Sequence, residues 1–362
     1  MGFYLTSFVD VLSLIGCIIL AVVILMVMIV IHELGHYTAG KLLKFKINEF
    51  SIGFGKAIFK KTKKNGEIFA IRWIPLGGYC AFEGEDEDGE SPDAFNKQAW
   101  WKRLIVLFSG AFFNFLSAIL MCIVLLAVLG NGSFRITGVQ GENASVLQVN
   151  DVITHVNGEK STFFNGGYVK QTENVKDANQ VIVLTIERIV DGEKESIEVP
   201  ITKNIVTEST DKTTGEVTLN YSAGLNLEYA DMSFGRALLN AIPFTFEFAW
   251  QCLVAVFQLI TFQVGLEGLG GPISTIGHMA TATVETGLNL ILLCPLLATN
   301  LAVFNLLPIP ALDGARMIFV TIEGIRKKPI NRDLEAKIHG IGLIVLFGLV
   351  IIADILQLFV FH

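Results

Sequence analysis

The sequence predicts a polytopic α-helical membrane protein: four transmembrane helices, a membrane-associated β-hairpin region between the first two, and a mostly-β domain inserted between the second and third. Three observations carry this expectation. Of the 362 residues, 52% are hydrophobic and only 17% charged, and mean hydropathy is +0.57, the profile of a chain that lives in lipid. Four apolar runs each approach the roughly twenty residues that a hydrocarbon core requires. The remaining polar sequence gathers into blocks, one rich in cations and one rich in acids. A net charge of −7 leaves no basic face able to neutralise phosphates, so nucleic acid is excluded as a partner. Five scattered cysteines without a CxxC pair supply neither a disulfide framework nor a thiolate metal site.

Residues 1–43 contain the first span, Val11–Ile31. Met1–Asp10 holds no Lys or Arg, and the apolar run is too long for a signal peptide, so the helix is expected to be retained. Residues 44–103 form the cationic block. Lys41 to Arg103 carries 12 of the 27 basic residues, several at helix ends, which assigns this loop to the cytoplasmic side. Within it Phe45–Gly78 alternates apolar and polar residues, with Gly53, Gly55 and Asn65-Gly66 as turns. Glu83–Asp93, seven acids in eleven residues, reads as a mobile solvated loop. The second span, Leu104–Leu129, fills residues 104–130.

Residues 131–230 are the acidic block: Gly130–Asp231 holds 8 basic and 15 acidic residues and reads as a water-soluble insert on the outer side. The β-branched stretches Val181–Glu187 and Ser196–Ile201, with the hairpin signal Asn157-Gly158, make it mostly β. Residues 231–285 include Ala241–Phe262. Were that segment to cross, the third span would run outward and carry Arg326-Lys327-Lys328 to the wrong side, so it is expected to lie in the interface or re-enter. Residues 286–325 hold the third span, Thr286–Leu306, and a following helix; residues 326–362 hold the fourth, Ile341–Phe361.

The chemistry begins where the first span ends, in His32-Glu33-Leu34-Gly35-His36. Positions i and i+4 share a helix face, so both imidazoles can reach one metal ion while Glu33 beside them handles a proton. By chance a chain of this length shows HExxH roughly once in a hundred times. Three ionisable groups in one turn of an apolar helix cost a few kcal/mol each unless paired, hydrated or bound to metal. Catalytic zinc normally takes three protein ligands. Asp313, in the run NLAVFNLLPIPALDGARM after Pro308 and Pro310, comes at the same depth and side; read alone, Leu312-Asp313-Gly314 is equally an ordinary turn opening the next helix.

Together these motifs resemble the site-2 protease family of intramembrane zinc metalloproteases. HELGH in the first span, GAFFNF (Gly110–Phe115) in the second and NLLPIPALDG (Asn305–Gly314) in the third carry the likeness, supported by IRWIPLGGYCAFEGE (Ile71–Glu85) and GPIS (Gly271–Ser274). The single insert is similar to that of the bacterial regulator-of-sigma-factor branch: ENASVLQVNDVITHVNGEK (Glu142–Lys160) resembles a bacterial PDZ pattern, with Asn150 in place of its usual Gly. The resemblance implies Zn²⁺ held by His32, His36 and Asp313, and Glu33 as the catalytic glutamate. It implies substrate contact at Asn305, whose other reading is a helix-to-helix hydrogen bond, with Pro308, Pro310, Gly53 and Gly55 as further substrate-binding positions. Gly110 and Asn114 read as packing, the glycine permitting close approach of the first and second helices and the amide bonding across their contact. The implied home is a bacterial cytoplasmic membrane, with the active site near the cytoplasmic face.

Implied partners are the lipid bilayer and single-span transmembrane substrates, either anti-sigma factors already trimmed outside or signal-peptide remnants, with the insert as a size filter. A hairpin edge in Phe45–Gly78 either adds the unwound substrate as a strand or simply packs on the bundle. The alternatives are a membrane metal-ion transporter, which has no need of Glu33, and a non-enzymatic membrane-anchored PDZ scaffold, which leaves the polar motif unexplained.

Overall fold

The computed structural model describes residues 8–85, 89–210, 217–261, 273–277 and 288–359, with positions 263 and 279. Gly271 and Pro272 of the GPIS run, Asp86–Asp88 of the acidic loop, and the outer ends of the third and fourth expected spans lie outside the described residues. The chain divides into two units, residues 1–122 with 242–362, and residues 123–241.

In the first unit the apolar run continues unbroken through the HExxH motif as α1, Phe8–Leu42, with Lys41 in its last turn, where a cation suits the helix dipole. Then come β1 (Ile47–Thr62), β2 (Ile68–Phe82) and α2 (Trp100–Leu129). Helices α1 and α2 meet backbone to backbone: a Cβ added at Gly35 would lie 2.3 Å from the Ser109 carbonyl oxygen. Met28, Ala118 and Ala298 form a small buried core among the helices.

β1 and β2 are an antiparallel pair, but both bend. Residues 47–52 pair with 78–82 on one side and residues 49–52 with 68–71 on the other, and 68–71 pair again with 59–62. Gly53 and Gly55, expected as turns, lie inside β1 at φ 83° and 84°; they let the strand bend where the register shifts, and the Cβ of a larger residue at Gly53 would meet the Ile74 carbonyl at 2.6 Å. Asn65-Gly66 does form the tip, with Gly66 at φ 86°. Phe45, Ile47, Phe50, Cys80 and Phe82 pack with Phe95, Val106, Leu107 and Val320, seating the sheet on the helices. The acidic loop is anchored at its flanks: Glu85 pairs with Arg316, and Glu83 accepts the Ser91 amide at 2.7 Å.

The second unit is mostly β. Its strands are β3 (Phe134–Val139), β4 (Val152–Val156), β5 (Glu159–Lys160), β6 (Val181–Val190), β7 (Glu193–Thr202), β8 (Ile205–Thr210), β9 (Val217–Ser222) and β10 (Leu225–Tyr229), with a short helix α3 (Gly167–Thr172). The main sheet runs β10-β3-β4-β6-β7, with β5 on β4, and β8 and β9 form a separate hairpin. Ile136, Ile153, Ile182, Leu184 and Ile186 are fully buried in its core. Asn157-Gly158 turns β4 into β5 with φ of 50° and 80°. Asn150 stands at φ 78°, a left-handed position that asparagine tolerates better than most residues. Next to it Asp151, buried, binds the Arg188 guanidinium through bonds of 2.7 and 2.6 Å.

Beyond this insert come α4 (Phe234–Ile260), α5 (Leu288–Asn305), α6 (Asp313–Arg326) and α7 (Arg332–Phe359). Among the described residues, four helical stretches are long and apolar enough to cross a membrane: Ile15–Leu42, Trp100–Leu129, Phe234–Ile260 and Arg332–Gln357. The number matches expectation; the membership differs. The segment expected to lie in the interface is one continuous helix of 27 residues, its apolar pattern diluted by Asn240, Thr245, Glu247 and Gln251. The expected third span is α5, described from Leu288 and ending at Asn305, where the chain turns towards Pro308 and Pro310. α4 and α5 share a polar contact, with the Cys252 thiol donating to Asn300 Oδ1 at 2.5 Å.

One ion cluster ties the hairpin to α1. Glu67, its side chain 1% exposed, pairs with Lys41 and Lys63 and accepts the Tyr37 hydroxyl at 2.9 Å. Burial pushes its pKa up, but the Lys41, Lys63, Asn65 and Tyr37 bonds outweigh it and hold the carboxyl down at about 2. Its contribution to stability is therefore complete above the ordinary glutamate value of 4.5 and is lost as pH falls towards 2. Glu67→Ala should destabilise the hairpin by about 1–3 kcal/mol, since it leaves two ammonium groups short of a partner. Faster amide exchange across residues 59–70 at pH 7 is the expected readout, and the wild type should approach the variant only on acidification below about pH 4.5.

Candidate metal centre

Helix α1 projects His32 and His36 one turn apart from the same face, and both are 8% exposed. Asp313 arrives from 277 positions further along. After α5 ends, Leu306 and Leu307 close two tight turns, Ala311 takes φ 84°, and Leu312 caps α6 with extended backbone and no side-chain cap bond. Asp313 is thus the first residue of α6, and its carboxylate turns to the histidines. The glycine after it is needed for this approach: a Cβ at Gly314 would lie 2.4 Å from the carbonyl oxygens of both Leu306 and Leu307.

The three donor atoms nearly form an equilateral triangle. His32 Nε2 and His36 Nε2 are 3.1 Å apart, and Asp313 Oδ2 is 3.1 Å from the first and 3.3 Å from the second. A triangle of that size has its centre about 1.8 Å from each corner, so one ion just off its plane satisfies first-shell bonds of about 2 Å to all three. The tautomers agree. His36 Nδ1–H donates to the Val106 carbonyl at 2.8 Å, which leaves Nε2 bare and able to bind a metal.

His32 is oriented from α2. Asn114, fully buried, has its amide nitrogen 3.3 Å from His32 Nδ1, while its own Oδ1 finds no partner. Nitrogen and oxygen of an amide are told apart by their hydrogen bonds. Turned over, the Asn114 oxygen accepts from His32 Nδ1–H, and His32 Nε2 is bare as well. Three acceptors then face one another in a buried site, an arrangement that needs a positive charge at its centre. Gly110 supplies the room: a Cβ there would lie 2.3 Å from His36 Nε2 and 2.7 Å from His32 Cε1.

A cavity of about 460 Å³ opens on this triad. Glu33, Tyr79, Cys80, Ala81, Phe82, Glu85, Asn305 and Arg316 are among its walls. Asn305 donates to the Leu301 carbonyl of its own helix at 2.8 Å, an intrahelical bond rather than the alternative bond between helices. Pro308 and Pro310 shape the turn before Asp313 but do not line the cavity, nor do Gly53 and Gly55. The cavity's strand wall is residues 79–82 of β2. On the side away from residues 47–52, that segment has no strand partner among the described residues. Asn114 and Gly110, read from sequence as packing, turn out to touch the histidines; their GxxxN spacing from one helix face was the available signal.

Apolar helices around a buried His-His-Asp triad with a glutamate at hand define a membrane-embedded metallohydrolase class. The family model of peptidase family M50, the site-2 protease family, matches residues 20–349, and the chain belongs to that family. A protein of Fusobacterium nucleatum is 30% identical over 349 residues, covering 93% of this chain and 97% of its own length. One from Helicobacter pylori is 32% identical over 322 residues, 85% and 89% of the two chains, and one from Rickettsia conorii 29% identical over 366 residues, 96% and 99%. All three carry names describing zinc metalloproteases. The protein is accordingly a zinc metalloprotease.

Two substitutions probe the site without removing a donor. Gly110→Ala should abolish stoichiometric zinc, because the added methyl occupies the space beside both imidazoles. Asn114→Leu should weaken zinc binding about 10–100-fold. Metal analysis of protein dialysed at fixed free zinc measures both.

Proposed function

We propose that His32, His36 and Asp313 hold the zinc of this metalloprotease, that Glu33 carries the proton, and that the enzyme cuts membrane-spanning segments of single-span proteins. The convergence of three donors on a helix otherwise apolar, beside a glutamate lining the same cavity, is the observation that carries this reading. When bound, zinc polarises a carbonyl and brings the pKa of water towards 7. Glu33 takes the proton from the attacking water and returns it to the departing amine. Asn114 and the Val106 carbonyl keep both imidazoles in the tautomer that zinc requires. The cavity beside them gives water and an unwound peptide room to enter.

A peptide cannot be cut while its amides are bonded within its own helix. Just past the Phe45–Gly78 stretch, the side of residues 79–82 that has no strand partner among the described residues forms the cavity wall beside Glu33; its Phe82 amide, which donates to Glu85 Oε2 at 3.3 Å, would exchange that acceptor for an extended substrate, and we assign this edge the strand-addition role. The family likeness points to anti-sigma factors trimmed outside, or to signal-peptide remnants, in a bacterial cytoplasmic membrane with the active site near its cytoplasmic face. The sheet-rich insert, with Asn150 in left-handed conformation where the PDZ pattern has glycine, suits a PDZ-like filter on the outer side.

The test uses detergent-purified protein and a model single-span substrate. Glu33→Gln should retain zinc yet lose about 10²–10⁴-fold in cleavage, and chelator should stop the wild type; undiminished cleavage by the variant removes Glu33 from the mechanism. Single prolines across residues 79–82 should cut cleavage while zinc content holds. Full activity in all of them rules out strand addition.

A further inference from the structure

Asp313 must be held within a fraction of an ångström of two histidines on another helix, yet the turn that presents it is not self-supporting. Ala311, two residues earlier, sits at φ 84°, a conformation that glycine adopts freely and alanine does not. The support comes from the first turns of α7. The Ala311 N–H donates to His339 Nδ1 at 2.9 Å. Three residues further along the same helix, Gly342 lets Pro310 pack against the helix backbone, where an added Cβ would lie 2.3 Å from Pro310 Cβ and 2.8 Å from its carbonyl oxygen. The His339 ring also faces Phe319 of α6, with centroids 5.5 Å apart. One side chain therefore touches the turn before Asp313 and the helix after it.

We infer that His339 is a positioning residue for the metal centre: its ring nitrogen pins the strained Ala311 turn and so fixes where α6 delivers Asp313. This role rests on the reading of His32, His36 and Asp313 as zinc ligands. His339 makes no contact with the metal; it acts through the backbone, as the acceptor that offsets an unfavourable dihedral. Of the six histidines it lies farthest in sequence from the HExxH pair except for the terminal His362, and no spacing rule connects it to them.

Two variants separate the hydrogen bond from the ring contact. His339→Phe keeps a ring against Phe319 but has no acceptor; His339→Asn loses the ring but places an amide oxygen near the Nδ1 position. Full-length protein in detergent is stripped of metal and titrated with zinc against a competing chromophoric chelator. His339→Phe should raise the zinc Kd at least tenfold, and His339→Asn should stay within threefold of wild type. Adding Ala311→Gly to His339→Phe should recover most of the affinity, since glycine holds that φ unaided, and the recovery also shows that the variant folds. A His339→Phe Kd within threefold of wild type overturns the inference. So does an Asn variant as weak as Phe, which transfers the effect to ring packing. A wild type that takes up no zinc overturns the ligand reading along with it, so the two failures are distinguishable.

Discussion

Polar groups inside an apolar helical unit have only one another or a bound ion to satisfy them, and that constraint organises this molecule. His32, His36, Asn114 and Asp313 come from three helices: the Asn114 amide meets the outer nitrogen of His32, while the inner nitrogens of both histidines and the Asp313 carboxylate converge on one point that a cation would satisfy. The glycines at 35, 110 and 314 follow from it, because helices must approach closely before such short side chains can meet. The prolines after α5 follow too, since a helix continuing past Asn305 would carry Asp313 away from the histidines. A collection of apolar helices could pack in many ways; a shared set of polar partners selects one.

The same logic recurs at lower stakes elsewhere. Arg103 and Glu323 are both buried and form a pair between α2 and α6, with Glu323 also accepting the Ile330 amide at 2.8 Å. Asp354, near the end of α7, accepts the Ser274 amide at 2.9 Å and its hydroxyl at 2.8 Å. Each contact fixes the relation of two segments that apolar packing alone would leave free to slide.

Much of this was legible in the sequence where the signal was local. The long apolar runs, the HExxH face, the tip at Asn65-Gly66 and the mostly-β insert all depend on residues within a few positions of one another. What was not legible depends on partners far apart in the chain. The Asn114 amide reads as bonding between the first two helices, but its partner, His32, emerges only when the helices are placed side by side. His339 has no motif, because its target is a backbone amide 28 positions earlier. Gly53 and Gly55 suggested turns, but the strand goes on past them because a second bend, in β2, accommodates the first. Charge parity bears on which side α4 starts from, and it says nothing of how long that helix continues.

The contact between Gly35 and Ser109 has a mechanical corollary. Two helices touching through their main chains have no compressible layer between them; neither can rotate or shift by a residue without collision. The HExxH helix and its neighbour therefore act as a fixed anvil, and whatever widening admits a peptide must come from the cavity's other walls, which include Tyr79, Glu85, Asn305 and Arg316.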